Sequence, residues 1–251
     1  MGPDPVYIPG SVEETKSSAA ARGAVPTLWP DEVFAPDDPL ITRSFDAYHQ
    51  TWIEPYGGGF LHRDAQFWPV GGLELDHAYL ALGRGDVLHQ ILGWTLSHQT
   101  LPGTDAWADE VSPSNNGVAG GDMPHAWVAA SYVTLVRELL IRERDSGEVD
   151  LFSLDPDGWF GAGNVVSVDN APTWYGPLSI KTASSVQMNN GKWSGALTLS
   201  LALANSTHPA AFVWKVPQPP SKVDGPAGTA YQDGALTIPG SGGVVTLTFG
   251  P

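Results

Sequence analysis

Residues 124–154 read PHAWVAASYVTLVRELLIRERDSGEVDLFSL, and two periodicities meet inside that single stretch. From Pro124 to about Glu143 the apolar residues recur at helical spacing, with Ala129, Val133, Val136 and Leu140 on one side. The segment is apolar nearly all round until Arg137, which predicts a helix whose first half is buried between neighbours. Past Asp150 the pattern takes period two, and the residues become β-branched or aromatic. The chain therefore divides near residue 148, into a helical region over 1–147 and an all-β region over 148–251.

Working upstream, Glu13 to Arg22 (EETKSSAAAR) reads as a modest Ala-rich helix. Asp38-Pro39 before LITRSFDAYHQTW supplies an N-cap and a proline at the first helical position. Leu40, Ile41, Phe45, Tyr48 and Trp52 follow at spacings of three and four. Leu73 to Leu82 predicts a helix ended by Gly83. Asp86 then caps Val87 to His98, with Leu88, Ile91, Leu92 and Leu96 in one stripe. Downstream, candidate strands are Leu151–Leu154, Asn164–Val168, Leu178–Thr182, Ala196–Ala202, Ala211–Val216, Ala235–Ile238 and Val244–Phe249. Asn189-Asn190-Gly191 is a hairpin signal, and Pro217 to Gly228 is a Pro/Gly loop that interrupts any strand. Short strands at this spacing predict an antiparallel β-sandwich.

The composition narrows the function classes. Among 251 residues, 27 are acidic and 12 basic, a formal net charge of −15. That balance argues against a nucleic-acid partner, which draws on clustered Lys and Arg. No apolar run approaches the length of a membrane span, and Met1-Gly2-Pro3-Asp4-Pro5 shows no secretory-leader pattern, so localisation stays open. The absence of Cys excludes disulfides, thiolate metal sites and cysteine nucleophiles. Ten Trp beside many acids and few bases is the composition of carbohydrate-handling proteins. Sugar rings present C–H faces to aromatics and hydroxyls to carboxylates. Trp serves equally well in cores.

Thr100 to Met123 (TLPGTDAWADEVSPSNNGVAGGDM) has no clear periodicity, and loops of that length inside a compact domain are usually functional or disordered. It holds Asp105, Asp109, Glu110 and Asp122 with Trp107, and it runs straight into the helix beginning Pro124-His125-Ala126-Trp127. Carboxylates beside an apolar helix start suit glycosidic chemistry, where one acid is kept protonated by desolvation and another stays ionised. A polar surface loop with Asp122 as a cap fits the same residues. A second polar-aromatic patch runs from Trp52-Ile53-Glu54-Pro55-Tyr56 through three glycines to His62, Asp64, Phe67 and Trp68. Glu54, flanked by Trp52 and Tyr56, is a sugar-facing candidate, and a plain loop between helices is the alternative. Neither HExxH nor HxH spacing occurs, so no metal or other cofactor is expected, and GxSxG is absent.

The run Gly121-Asp122-Met123-Pro124-His125-Ala126-Trp127 into AASYVTLVRELLIRE resembles the late part of bacterial glycoside hydrolases built on an (α/α)6 toroid. Other stretches resemble the same enzymes. AVPTLWP (Ala24 to Pro30) with Asp37-Asp38-Pro39 looks like a late helical hairpin, and Phe67-Trp68-Pro69 with LELDHAYLALGR like the next. Trp107-Ala108-Asp109-Glu110 looks like a Trp-x-Glu stretch before the final inner helix. Asp169-Asn170-Ala171-Pro172-Thr173 with Tyr175-Gly176-Pro177-Leu178 looks like the start of the following β-domain.

The resemblance implies a fold class of α + β in separate domains. A partial (α/α)6 toroid over 1–147 would be followed by an antiparallel β-sandwich over 148–251. It implies Asp109 or Glu110 as a catalytic carboxylate acting as base, with His125 donating to a sugar hydroxyl and Trp107 as a stacking wall. Trp127, Glu54, Trp52, Asp64 and Trp68 would make further substrate contacts. A complete toroid needs twelve helices, about 200 residues at ordinary helix and loop lengths. Residues 24–147 hold four or five, so the remainder is expected from a second chain, from self-association, or from a missing N-terminal part. Two other readings stay open: a non-catalytic carbohydrate-binding or structural subunit, and a polysaccharide lyase. The carboxylate-rich loop favours hydrolysis over elimination, and the acidic charge repels the uronates that lyases cleave.

Overall fold

The computed structural model describes residues 7–9, 19–62, 66–154, 158–205 and 207–250. They form two compact units, Met1–Val136 and Arg137–Pro251.

The first unit contains α1 (Ala19–Ala24), α2 (Pro39–Trp52), α3 (Pro69–Ala81), α4 (Gly85–Ser97), the short strands β1 (Glu110–Val111) and β2 (Val118–Gly120), and the start of α5 (Ala126–Leu140). The beginning of α2 follows from its sequence. Asp38 accepts from the amides of Leu40 at 2.7 Å and Ile41 at 3.4 Å, Pro39 opens the helix, and Ile41, Phe45 and Tyr48 turn inward. The expected Glu13–Arg22 helix is present from Ala19 as α1, and Glu13–Ser18 lie outside the described residues. Asp86 is not the cap of α4. It sits in the first turn and accepts from the Arg84 guanidinium, Arg84 itself being the residue at the cap.

α3 is more deeply buried than α5, the helix whose first half the sequence predicts to be buried between neighbours. α3 starts at Pro69, ahead of the expected Leu73, and is buried on almost every side, with Asp76 and His77 inside among Val70, Leu73, Leu75 and Tyr79. α5 buries only the stripe Val128, Ser131, Leu135 and Leu139, while Trp127 and Val133 are exposed. An all-round apolar pattern marks a helix that can be buried, and neighbours decide whether it is.

α5 ends at Leu140. Ile141–Glu143, expected to be its last turn, form strand β3, paired antiparallel with β4 (Val149–Leu151). The strands that follow are β5 (Ser167–Ala171), β6 (Leu178–Ser184), β7 (Gln187–Asn189), β8 (Lys192–Leu203), β9 (Ala211–Lys215), β10 (Lys222–Asp224), β11 (Ala230–Gln232), β12 (Ala235–Pro239) and β13 (Gly243–Phe249). One sheet runs β10-β13-β8-β6-β5 with β7 paired to β8, and the other runs β11-β12-β9-β4-β3. The inward residues of both fill one apolar core, among them Ile180, Leu199 and Leu247 from the first sheet and Val149, Phe212, Trp214 and Leu236 from the second. β7 and β8 are joined through Asn190 and Gly191, both at positive φ, as a two-residue hairpin turn requires. β10, three residues long, lies within the Pro/Gly segment expected to interrupt any strand.

The expected fold class does not hold. Among the described residues there are five short helices and thirteen strands in three sheets, and no helical toroid is formed. The stretch between α4 and α5 is loop with short β-pairing, and strand begins directly after Leu140, where the last helix is expected to continue. The β region is not wholly antiparallel either, because β4 and β9 pair in parallel. No helix among the described residues is long and apolar enough to cross a membrane.

Candidate functional site

Backbone pairing in the first unit laces three distant segments together. Phe67 and Val111 exchange amide–carbonyl bonds of 3.1 and 2.9 Å, which brings Trp68 alongside the Asp109-Glu110 step. Glu110 pairs with Gly120, and the Asp109 amide donates to the Asp122 carbonyl at 3.1 Å. The His125 amide donates to the Trp107 carbonyl at 2.8 Å, fixing the approach to α5. The Gly120-Gly121 pair is a steric requirement of this lacing. A Cβ on Gly120 would collide with the Glu110 carboxylate and one on Gly121 with the Asp109 side chain, and Gly121 also has φ +67°.

Trp68 is the hub of the resulting cluster. Its indole N–H donates to Asp109 Oδ1 at 2.9 Å, and His62 lies against its ring with centroids 4.6 Å apart. His62 Nε2 is 3.8 Å from Glu110 Oε1, so both carboxylates gather around one indole, Asp109 bonded to it directly and Glu110 beside the imidazole that packs on it. Their exposures differ: the Asp109 side chain is 29% exposed and that of Glu110 only 8%. His125 Nδ1 donates to Asp122 Oδ1 at 2.7 Å, which leaves Nε2 facing Asp109 Oδ1 at 3.5 Å. The His125 hydrogen bond holds the Asp122 carboxyl below the usual carboxylate range.

A cavity of about 530 Å³ opens beside this cluster, lined by Arg22, Trp29, Phe60, His62, Trp68 and Glu74 with Gly23, Val25, Pro26 and Pro30. The Arg22 guanidinium carbon stands 4.5 Å from the Trp68 ring centre and 4.8 Å from that of Trp127, and Nε donates to Glu74 Oε2 at 2.8 Å. Trp29 stacks on His77, centroids 3.9 Å apart and rings 7° from parallel. Next to His77 in α3, Asp76 is fully buried, and neither carboxyl oxygen has a hydrogen-bond partner among the described residues. Burial pushes its carboxyl well above the usual range.

Of the residues expected from sequence, Asp109, Glu110, Trp68, His125 and Trp127 come together. Neither Asp109 nor Glu110 lines the cavity; both are tied to two of its walls, Trp68 and His62. Trp107 is a core strut and not a stacking wall: it is 1% exposed, its N–H donates to the Thr95 carbonyl at 2.7 Å, and its ring tilts against Tyr132. Trp52 ends α2 and Glu54 is exposed on the turn that follows; neither joins the ring contacts and hydrogen bonds of the cluster. Asp64 lies outside the described residues. The sequence does not mark Arg22, Glu74 or Trp29 as site residues: Arg22 and Glu74 are 52 positions apart, and only the fold brings them together. Among the described residues no group of three or more His, Asp or Glu is placed to hold a metal ion.

No family model matches the sequence. No curated protein matches it either. Among solved structures the chain is similar to a GH127 β-L-arabinofuranosidase from Geobacillus stearothermophilus T6, at a TM-score of 0.42 and 10% identity. The matched region covers 92% of this chain and 40% of that enzyme's chain, a likeness too distant to assign a shared fold or activity.

Proposed function

We propose that the first unit hydrolyses glycosidic bonds, with Asp109 as the general base. The observation that carries this reading is the pair of adjacent carboxylates, unequally exposed, gathered on one indole at the edge of an aromatic-lined cavity. A general base for water attack needs a carboxylate that is reachable and fixed. Asp109 meets both conditions, because Trp68 holds Oδ1 while Oδ2 makes no hydrogen bond among the described residues. Glu110 is more deeply placed, and its position against His62 suits it to orient that imidazole. Trp68 and the 44%-exposed Trp127 supply aromatic surface for the C–H faces of a sugar.

The test is release of p-nitrophenol from a panel of aryl glycosides by the full chain, with Asp109→Asn and Glu110→Gln made separately. Asp109→Asn is expected to lower kcat by about 10²-fold or more while KM changes little. If both variants turn over at the parent rate, the carboxylate loop is only a connection and the assignment fails. Binding of glycosides with no turnover by the parent chain replaces hydrolysis with a binding role.

A further inference from the structure

Arg22 and Glu74 form a donor–acceptor edge facing the cavity. The guanidinium is held near the rings of Trp68 and Trp127, and its Nε donates to Glu74 Oε2. Among the described residues no hydrogen bond reaches either of its terminal amino groups, nor Glu74 Oε1. Neither residue has its polar end sealed off: the Arg22 side chain is 38% exposed and that of Glu74 15%, and both line the 530 Å³ cavity. A structural ion pair between two helices has no need of a cavity in front of its unused donors and acceptor. Two rings also hold the guanidinium in place, so it meets a ligand with little loss of side-chain freedom.

Building on the glycosidase reading above, we propose that Arg22 and Glu74 are the substrate-selecting pair of this cavity, binding neutral sugars through two adjacent hydroxyls and rejecting uronates. A hydroxyl both donates and accepts, so a neighbouring pair accepts from the free Arg22 amino groups while donating to Glu74 Oε1. A uronate carboxylate only accepts. It also brings negative charge beside Glu74, which already neutralises Arg22, on a chain of net charge −15 with Asp109 and Glu110 close by.

The test titrates p-nitrophenyl β-D-galactopyranoside, α-L-arabinofuranoside and β-D-glucuronide against the full chain by saturation-transfer NMR, with p-nitrophenol release followed in parallel. Parent protein, Arg22→Lys and the near-isosteric Glu74→Gln are compared, and circular dichroism melts report folding. The parent is expected to prefer a neutral glycoside. Each substitution should weaken that binding by about tenfold, the loss of a hydrogen bond to a charged group. Glu74→Gln should in addition narrow the margin over the glucuronide, because the repelling charge is gone. Unchanged affinities in folded variants, or lowered melting with affinity intact, overturn the selecting role and leave Asp109 untouched. A parent that prefers the glucuronide overturns the neutral-sugar assignment. No binding of any of the three, with no release, overturns the glycosidase reading together with this inference.

Discussion

The two units solve burial in opposite ways. Among the described residues, Ser44, Asp76, His77, Thr95, Gln99, Glu110 and Ser131 are buried polar groups of the first unit, against Arg142 and Thr182 in the second. Six of the seven histidines also belong to the first unit. The core of the second is apolar and aromatic, with Phe152, Phe160 and Trp214 in edge-on and tilted contact between two sheets. Burying polar groups costs stability unless they are hydrogen-bonded. The proposed site lies among the polar groups of the first unit and the large apolar core lies in the second, and substitutions can break or sharpen that contrast.

The largest expected effect lies in the second unit. Phe212 is fully buried in β9, and Phe212→Ala should destabilise that unit by about 3–5 kcal/mol in a urea melt, the usual cost of emptying an aromatic site. Hydrolysis of the best aryl glycoside, measured well below the transition, should change far less. The converse substitution is Asp109→Asn. A loss of about 10²-fold in kcat corresponds to about 2.7 kcal/mol of transition-state stabilisation, with the melting temperature little moved. If Phe212→Ala abolishes turnover below its transition, the division of labour is wrong.

What the sequence disclosed follows the same contrast, through the range of the interactions. The start of α2 was legible because Asp38, Pro39 and the amides they serve lie within three residues of one another. Most strands of the second unit were legible because period-two patterning records a half-buried sheet locally. Ile141–Glu143 reads as the end of the helix because no Gly or Pro separates IRE from it, and only pairing with Val149–Leu151 makes it a strand. The same lack of local information hid the partial exposure of α5. In the site, Asp109 and Glu110 stood out through a carboxylate-rich loop, whereas Arg22 and Glu74 meet only in the folded chain. Trp107 failed as a stacking residue because a Trp in a polar loop carries no mark of whether its ring turns inward.

Asp76 sharpens the comparison through pH. Its carboxyl keeps the proton in the fold because burial raises its pKa, whereas in the unfolded chain it ionises in the ordinary range near pH 4. As pH climbs above that range, the unfolded state releases a proton that the native state retains. Stability then falls at up to about 1.4 kcal/mol per pH unit until the native group also ionises, and it stays at the lowered level beyond. The contribution is complete in acid and lost toward alkaline pH, opposite in sign to a carboxylate stabilised by a salt bridge. Asp76→Asn removes this slope. Melts from pH 4 to 8 should therefore show the variant gaining on the parent with rising pH, and parallel curves would mean that Asp76 is solvated or paired in solution.

The smallest effect tests how much of the first unit rests on local contacts. Asp38 Oδ1 accepts from the Leu40 and Ile41 amides, two of the donors that a helix start leaves without partners, and Pro39 removes a third by having no N–H. Asp38→Ala returns both amides to water, which partial exposure of the turn permits, so the cost should be about 1 kcal/mol. Asp38→Asn keeps an accepting oxygen and should recover most of it, separating the cap from the charge. The loss belongs in the transition of the first unit, with glycoside binding intact below it. The comparison predicts that this cost stays several-fold under that of Phe212→Ala, because the cap replaces hydrogen bonds that water can also make while Phe212 leaves a void that nothing fills. Equal costs for the two substitutions would show that the first unit depends on the entry of α2 as heavily as the second depends on its core.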